Sequence, residues 1–166
     1  MENLRTINTT LVILMKDDKV LLGQKKRGFA KGTYNGIGGK QDPGETIEQA
    51  MIRETQEEIG ITPVEYELMG KIHFDVYYKG ERVNMYLNIY KSEVFDGEPV
   101  ETEEMIPSWF ERDSIPFEKM LQDDRLWWPY LLDDKKFVGD VKFDENLVMQ
   151  YHKFEEIVNF EKELNL

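Results

Sequence analysis

Glu54, Glu57 and Glu58 stand at i, i+3 and i+4, so on a helix their carboxylates share one face. Like charges at these spacings each cost about 0.2–0.5 kcal/mol in an exposed helix. Glu57 and Glu58 also fall in the last turn before Gly60, where the helix macrodipole disfavours anions by about 0.3–1 kcal/mol each. A helix built only for stability would carry lysines there. A hard divalent cation such as Mg²⁺ would turn the repulsion into coordination, because it prefers carboxylate, water and phosphate oxygens. Ions held in this way polarise phosphoryl oxygens, lower the pKa of a bound water and stabilise a leaving phosphate. Arg53, next to the cluster, can tether a carboxylate by paired hydrogen bonds and fix its direction. Taken alone, the three glutamates fit a solvated acidic face at least as well.

The element that must hold these side chains is a helix over Thr46–Ile59. Thr46 with Gln49 makes a capping-box signature, Gly60 can close the end, and Pro63 stands just beyond. Ile47, Met51, Ile52 and Ile59 form an apolar stripe facing the core. Upstream, Thr9–Met15 and Lys19–Gln24 read as strands joined by Lys16-Asp17-Asp18, and the glycine-rich stretch Gly28–Gly44 reads mostly as loop. Downstream, the spacing predicts strands at Tyr66–Tyr78, Arg82–Ser92 and Ser108–Glu111. A second helix follows at Asp123–Leu132, broken or bent near Pro129. A hairpin of Phe137–Phe143 and Leu147–His152 turns at Asp144-Glu145-Asn146, and the last dozen residues are helix-like. Strands outnumber helices, which points to a mixed sheet flanked by helices.

The 166 residues suit one domain, 1–166, with a single core. There is no cysteine, hence no disulfide or thiolate chemistry, and the two histidines, His73 and His152, are too few for a usual zinc site. No apolar run is long enough to span a membrane, so the expectation is a cytoplasmic protein without a membrane partner. A net charge of −12 argues against long nucleic acid polymers, which are met by basic faces. It does not argue against small anionic substrates where cations or lysines neutralise the site. Lys25-Lys26-Arg27 is the one compact basic cluster in the first half, and a solvated loop is its plainer reading.

Gly39, Glu45, Arg53, Glu54, Glu57, Glu58, Gly60 and Ile61 fall in the register G-x5-E-x7-R-E-U-x-E-E-x-G-U. This long pattern, over residues 39–61, resembles the Nudix box of the MutT family. One position departs: Thr55 stands where the pattern has an apolar residue, and its methyl group can still pack. Other glycine motifs fail, since Gly36-Ile37-Gly38-Gly39 lacks dinucleotide-fold spacing and Gly39-Lys40 lacks a P-loop context. The resemblance implies an α/β/α sandwich whose box forms a loop-helix-loop at a diphosphate. It implies Glu54, Glu57, Glu58 and the Gly39 carbonyl as ligands of Mg²⁺, with Mn²⁺ as a possible substitute. Arg53 would support the catalytic glutamates, one of which would be the general base, and Glu104 matches a further acidic metal-assisting residue. In the run Glu101–Glu104 a solvated loop is nearly as good a reading.

Beyond the box, Thr10 through Phe143 is similar to the branch of that family that hydrolyses oxidised purine nucleoside triphosphates. The likeness is concentrated in Gly23–Phe29, Asn35–Lys40, Trp109-Phe110, Ile115–Phe117, Asp123-Asp124, Trp127 and Lys135–Phe137. It implies that Asn35, Asp123 and Asp124 read the purine edge, that Phe29 and Phe74 line the base pocket, and that Lys25 lies near sugar or phosphate. Thr10, Gly38, Lys40 and Trp127 complete the expected substrate contacts. For Asp123 or Asp124 the plainer role is to cap the following helix. Leu121 stands where the branch has a stacking tryptophan, and Leu126 likewise replaces an aromatic residue. A nucleoside diphosphate-sugar such as ADP-ribose therefore remains a second substrate reading. A third is a nucleotide-binding module without catalysis, which would be expected to lose box glutamates that are all present here. A monomer and a dimer are both compatible with the sequence.

Overall fold

The computed structural model describes residues 3–160. The first strand, β1 (Arg5–Lys16), is buried along nearly its whole length. Its apolar run is continuous because both of its faces are covered. Ile7, Leu11, Ile13 and Met15 point into one cluster with Trp127, Trp128 and Phe137, while Val12 and Leu14 point into another with Met51, Ile59 and Tyr90. Around β1 lie β2 (Lys19–Lys25), β3 (Tyr34–Asn35), β4 (Ile37–Lys40), β5 (Thr62–Tyr78), β6 (Glu81–Asp96), β7 (Met105–Glu111), β8 (Lys136–Phe143) and β9 (Met149–Ile157). The sheet runs β3-β2-β1-β6-β5-β8-β9, with β4 also on β1 and β7 on β2. The β1–β6 and β5–β8 pairs are parallel and the others antiparallel, so the sheet is mixed as expected. Helix α1 (Ile47–Ile59) supplies Met51 and Ile59 to one core; α2 (Asp124–Leu132) supplies Trp127, Trp128 and Leu131 to the other. The result is a helix–sheet–helix sandwich.

Three expectations are corrected. The stretch Gly28–Gly44 contains β3 and β4; Gly38 and Gly39 pair with Leu11 and Thr10 through backbone alone. Helix α2 continues through Pro129 to Leu132, anchored by the buried Trp127, Trp128 and Leu131, although proline removes a helical donor. The chain is still strand at 155–157, where Glu155, Glu156 and Ile157 pair with β8. The rest of that helix-like expectation, 161–166, lies outside the described residues. Among the described residues no helix is long and apolar enough to cross a membrane.

Candidate active site

Helix α1 begins and ends as its sequence dictates. Thr46 accepts a hydrogen bond from the Gln49 N–H at 3.1 Å, and the Gln49 side chain accepts one from the Thr46 N–H at 2.8 Å. Gly60 adopts φ 75°, which lets its N–H reach the Gln56 carbonyl. Thr55 is fully buried, its hydroxyl donating to the Met51 carbonyl at 2.6 Å, so the methyl group packs where an aliphatic residue would. Glu58 is also on the buried side of the helix, in contrast to Glu57, whose side chain is 57% exposed.

Arg53 organises the exposed side. Its guanidinium forms two bonds to Glu45, at 3.0 and 2.7 Å, and one each to Glu54 at 3.0 Å and Glu57 at 3.1 Å. A further N–H reaches the Lys40 carbonyl, so the arginine also holds the loop before the helix. These bonds lower the Glu45 carboxyl to about 2, and Glu45 in turn raises Arg53 further above its ordinary value. Glu54 is pushed upward instead, because burial outweighs the arginine. Glu58 is raised to about 8, chiefly by burial and then by the charges of Glu54 and Glu104.

Two observations test whether this set could hold a divalent cation. The Glu58 Oε2 atom is buried without a hydrogen-bond partner, although such atoms are rarely left unsatisfied. At Gly39 a side chain would collide with the Glu54 carboxyl, whose atoms lie 2.4–2.7 Å from where a Cβ would sit. The glycine thus keeps its own backbone and a carboxylate in contact. Arg53 holds oxygens of Glu54 and Glu57, and in this arrangement no three acidic or imidazole groups among the described residues converge on one point. A cation would draw these carboxylates together in place of the arginine. Hard oxygen donors, a buried unpaired carboxyl oxygen and an open backbone fit a cation of the Mg²⁺ type.

Next to this cluster opens a cavity of about 880 Å³. It gathers all of the residues expected to contact substrate: Thr10, Lys25, Phe29, Asn35, Gly38, Lys40, Phe74, Asp123, Asp124 and Trp127. Gly39, Glu58 and Glu104 also line it, whereas Arg53, Glu54 and Glu57 lie outside the lining. Glu104, placed in an acidic run that could have been solvated loop, receives Arg27 at 3.2 Å and borders the cavity.

Asp123 and Asp124 are almost wholly buried. Asp123 occupies the N-cap position of α2 but makes no capping bond; its carboxyl accepts from the Trp127 indole at 3.0 Å, and Asp124 accepts from Trp128 at 3.1 Å. Capping is therefore not their role. Burial raises both carboxyl pKa values, Asp123 to about 6, and Asp124 is raised well above 3.8 because it also faces the charge of Asp123. The pair consequently shares protons at neutral pH. Trp127 and Trp128 stack at 5.4 Å and belong to the core as much as to the site.

Sequence reasoning missed Tyr78, Lys79, Met85 and Phe143, which also line the cavity. Phe143 shares the alternation of Phe137 and Val141 on β8, a usable signal that it faces inward. Tyr78 and Lys79 look like any hairpin tip in sequence.

With this geometry in hand, comparison with known proteins is informative. A model described as NUDIX domain matches residues 4–131. The chain is similar to a Danio rerio protein named oxidized purine nucleoside triphosphate hydrolase, 45% identical over 148 residues, covering 89% of this chain and 94% of that one. A Mus musculus protein of the same name is 43% identical over 143 residues, covering 86% and 90%. Among solved structures, a MutT protein from Bacillus halodurans superimposes with a TM-score of 0.80 at 26% identity, covering 90% of this chain and 97% of that one. The arginine-bridged acidic helix, the mixed sheet and these matches lead to one assignment: the chain belongs to the Nudix hydrolase family.

Proposed function

We propose that the chain is a Mg²⁺-dependent nucleoside triphosphate pyrophosphohydrolase that clears oxidised purine nucleotides, such as 8-oxo-dGTP, from the cytoplasmic pool. One observation carries this reading. The described residues leave three buried side-chain polar atoms without partners, Thr10 Oγ1, Glu58 Oε2 and Asp123 Oδ1, and all three residues line the same cavity. Unsatisfied polar atoms grouped around one space are a template for a polar ligand. The names of the vertebrate relatives support the same substrate class.

At the deep end, the shared-proton aspartates suit an oxidised guanine, which gains an N7–H donor while O6 remains an acceptor. One carboxyl accepts from the ring N–H and its protonated neighbour donates to O6. The Asn35 Oδ1 already accepts from the Gly36 N–H at 2.9 Å, which leaves its amide N–H groups as donors to the base. Phe29, Phe74 and Trp127 provide apolar walls, and Lys25 neutralises phosphate.

At the other end, Glu54, Glu57, Glu58, Glu104 and the Gly39 carbonyl would hold Mg²⁺, or Mn²⁺ in its place. Bound there, the cation supplies charge stabilisation at the phosphoryl oxygens and returns Glu58 to its ionised form. Arg53 keeps Glu45, Glu54 and Glu57 oriented. Water bonds to a phosphorus of the anhydride, the P–O–P bridge breaks, and pyrophosphate leaves from the monophosphate. The water's proton passes to a glutamate of α1. Most of the rate enhancement comes from positioning and charge.

Leu121 lines the cavity as an aliphatic wall, which favours a second reading in which an ADP-ribose-like compound is accepted. The deciding measurement is kcat/KM with Mg²⁺ for 8-oxo-dGTP, 2-hydroxy-dATP, dGTP, dATP and ADP-ribose, with products identified. Preference for an oxidised purine with release of pyrophosphate is expected. Preference for ADP-ribose or unmodified nucleotides would remove the base-recognition argument and leave the acidic helix standing.

A further inference from the structure

Several cations line the cavity although the chain carries a net charge of −12. Lys26 and Arg27, in the same segment, are paired with Glu101 and Glu104. Lys25, Lys40 and Lys79 line the cavity together with Arg27, and no ion pair to a carboxylate is formed by any of the three lysines among the described residues. Each ammonium is set over an aromatic ring: Lys25 at 5.9 Å from the Phe29 centroid, Lys40 at 4.8 Å and Lys79 at 5.4 Å from that of Tyr78. Phe29 and Tyr78 are themselves 6.1 Å apart. The Tyr78 hydroxyl lies within reach of Lys40 and Lys79, which hold its pKa below the usual phenol value. In an acidic protein, cations kept clear of carboxylates around one opening form a local field for a polyanion.

The backbone gives the hairpin tip a fixed place. Tyr78 pairs with Glu81, so Lys79 and Gly80 form a two-residue turn with φ 51° and 78°. Asn, Asp or Gly suits the first of these positions, and turn chemistry offers no reason for a lysine there. Lys40 follows Gly39 in β4, yet Gly39 faces the Glu54 carboxyl and Lys40 faces Tyr78. The acidic helix and the Tyr78 ring thus meet the two sides of one short strand.

We propose that Tyr78 and Lys79, together with Lys40, form a phosphate clamp at the cavity mouth that sets affinity for the outer phosphates of a nucleoside triphosphate. This rests on the triphosphate reading given above. The ammoniums leave the ring face for phosphate oxygens, the tyrosine hydroxyl donates to a third, and the rigid turn limits the ordering cost. Chemistry stays with α1, so the clamp acts on KM and leaves base choice to the aspartates.

Lys79→Asn is the sharpest variant, because asparagine suits the turn better than lysine while removing the charge. Its melting temperature is expected to equal or exceed that of the wild type, with KM for the preferred triphosphate raised about tenfold and kcat changed less than about twofold. Lys79→Glu is expected to raise KM further, and Tyr78→Ala more than Tyr78→Phe. Calorimetric binding of inorganic tripolyphosphate in EDTA is expected to weaken in parallel. If oxidised purine triphosphates are hydrolysed but Lys79→Asn and Lys79→Glu leave KM and tripolyphosphate affinity unchanged, the clamp is wrong and the proposed function stands. If no triphosphate is hydrolysed while tripolyphosphate affinity still falls in these variants, the clamp stands and the functional reading fails.

Discussion

At one end of the cavity, glutamates share a helix face with an arginine; at the other, two aspartates share a pocket floor with two indoles. Both are clusters of like charge, and they differ in whether a counter-charge is at hand. Arg53 keeps Glu45 anionic, its carboxyl held at about 2. Neutral indole N–H groups and near-total burial give the aspartates no counter-charge, so both carboxyl pKa values are raised. On the proposed function, carboxyl groups would serve cation binding in one place and proton-sharing recognition in the other. Glu58 is intermediate, buried like the aspartates but placed beside the arginine-bound set.

The largest effect is expected from breaking the anionic end. Glu58→Gln should lower kcat by about two to four orders of magnitude, while thermal melting shows the fold intact or slightly more stable, since the amide cannot ionise beside Glu54 and Glu104. Glu57→Gln, on a more exposed side chain, should also lower kcat steeply. Wild-type rates in both variants would refute the assignment of the acidic helix.

Changes at the protonated end should alter choice more than rate. Asp123→Asn is expected to reduce discrimination between 8-oxo-dGTP and dGTP by about tenfold or more, with metal dependence unchanged. The pair should also leave a signature in stability. Because folding raises both carboxyl pKa values above 3.8, their contribution is whole below that pH and is lost as pH rises, for Asp123 through about 6. The Asp123→Asn/Asp124→Asn double variant should therefore gain melting temperature relative to the wild type across that range. A constant difference from pH 4 to 8 would mean that the aspartates ionise as freely in the fold as in the unfolded chain.

The smallest effect belongs to the one departure in the box. Thr55→Val keeps the buried shape and loses only the hydroxyl bond to the Met51 carbonyl, so stability should shift by less than about 1 kcal/mol. A larger loss, measured by denaturant unfolding, would make that hydroxyl a structural requirement.

Much of this was legible in the residues, for reasons that differ by region. The ends of α1 could be read because Thr46, Gln49 and Gly60 act through local bonds that their own positions determine. Its acidic face could be read because helical spacing alone brings Glu54, Glu57 and Glu58 together. The strands β3 and β4 were hidden, since β3 is only two residues long against β2, and the glycines of β4 provide no alternation while its partner lies far back in β1. That the aspartates bind indoles rather than cap α2 depends on how Trp127 and Trp128 pack, a tertiary matter. Tyr78 and Lys79 gave no signal because only the pairing of β5 with β6 brings that turn over the cavity.

The position of β1 has a consequence for how the chain is made. Its parallel partner, from Val83 opposite Arg5 to Ser92 opposite Leu14, is synthesised long after it. Until that stretch has left the ribosome, one edge of Leu11–Met15 stays unpaired, with its apolar side chains only partly covered. Contacts so distant along the chain form slowly, and exposed strand edges favour association between nascent chains. Slower translation through residues 83–92 is therefore expected to lower the yield of folded enzyme.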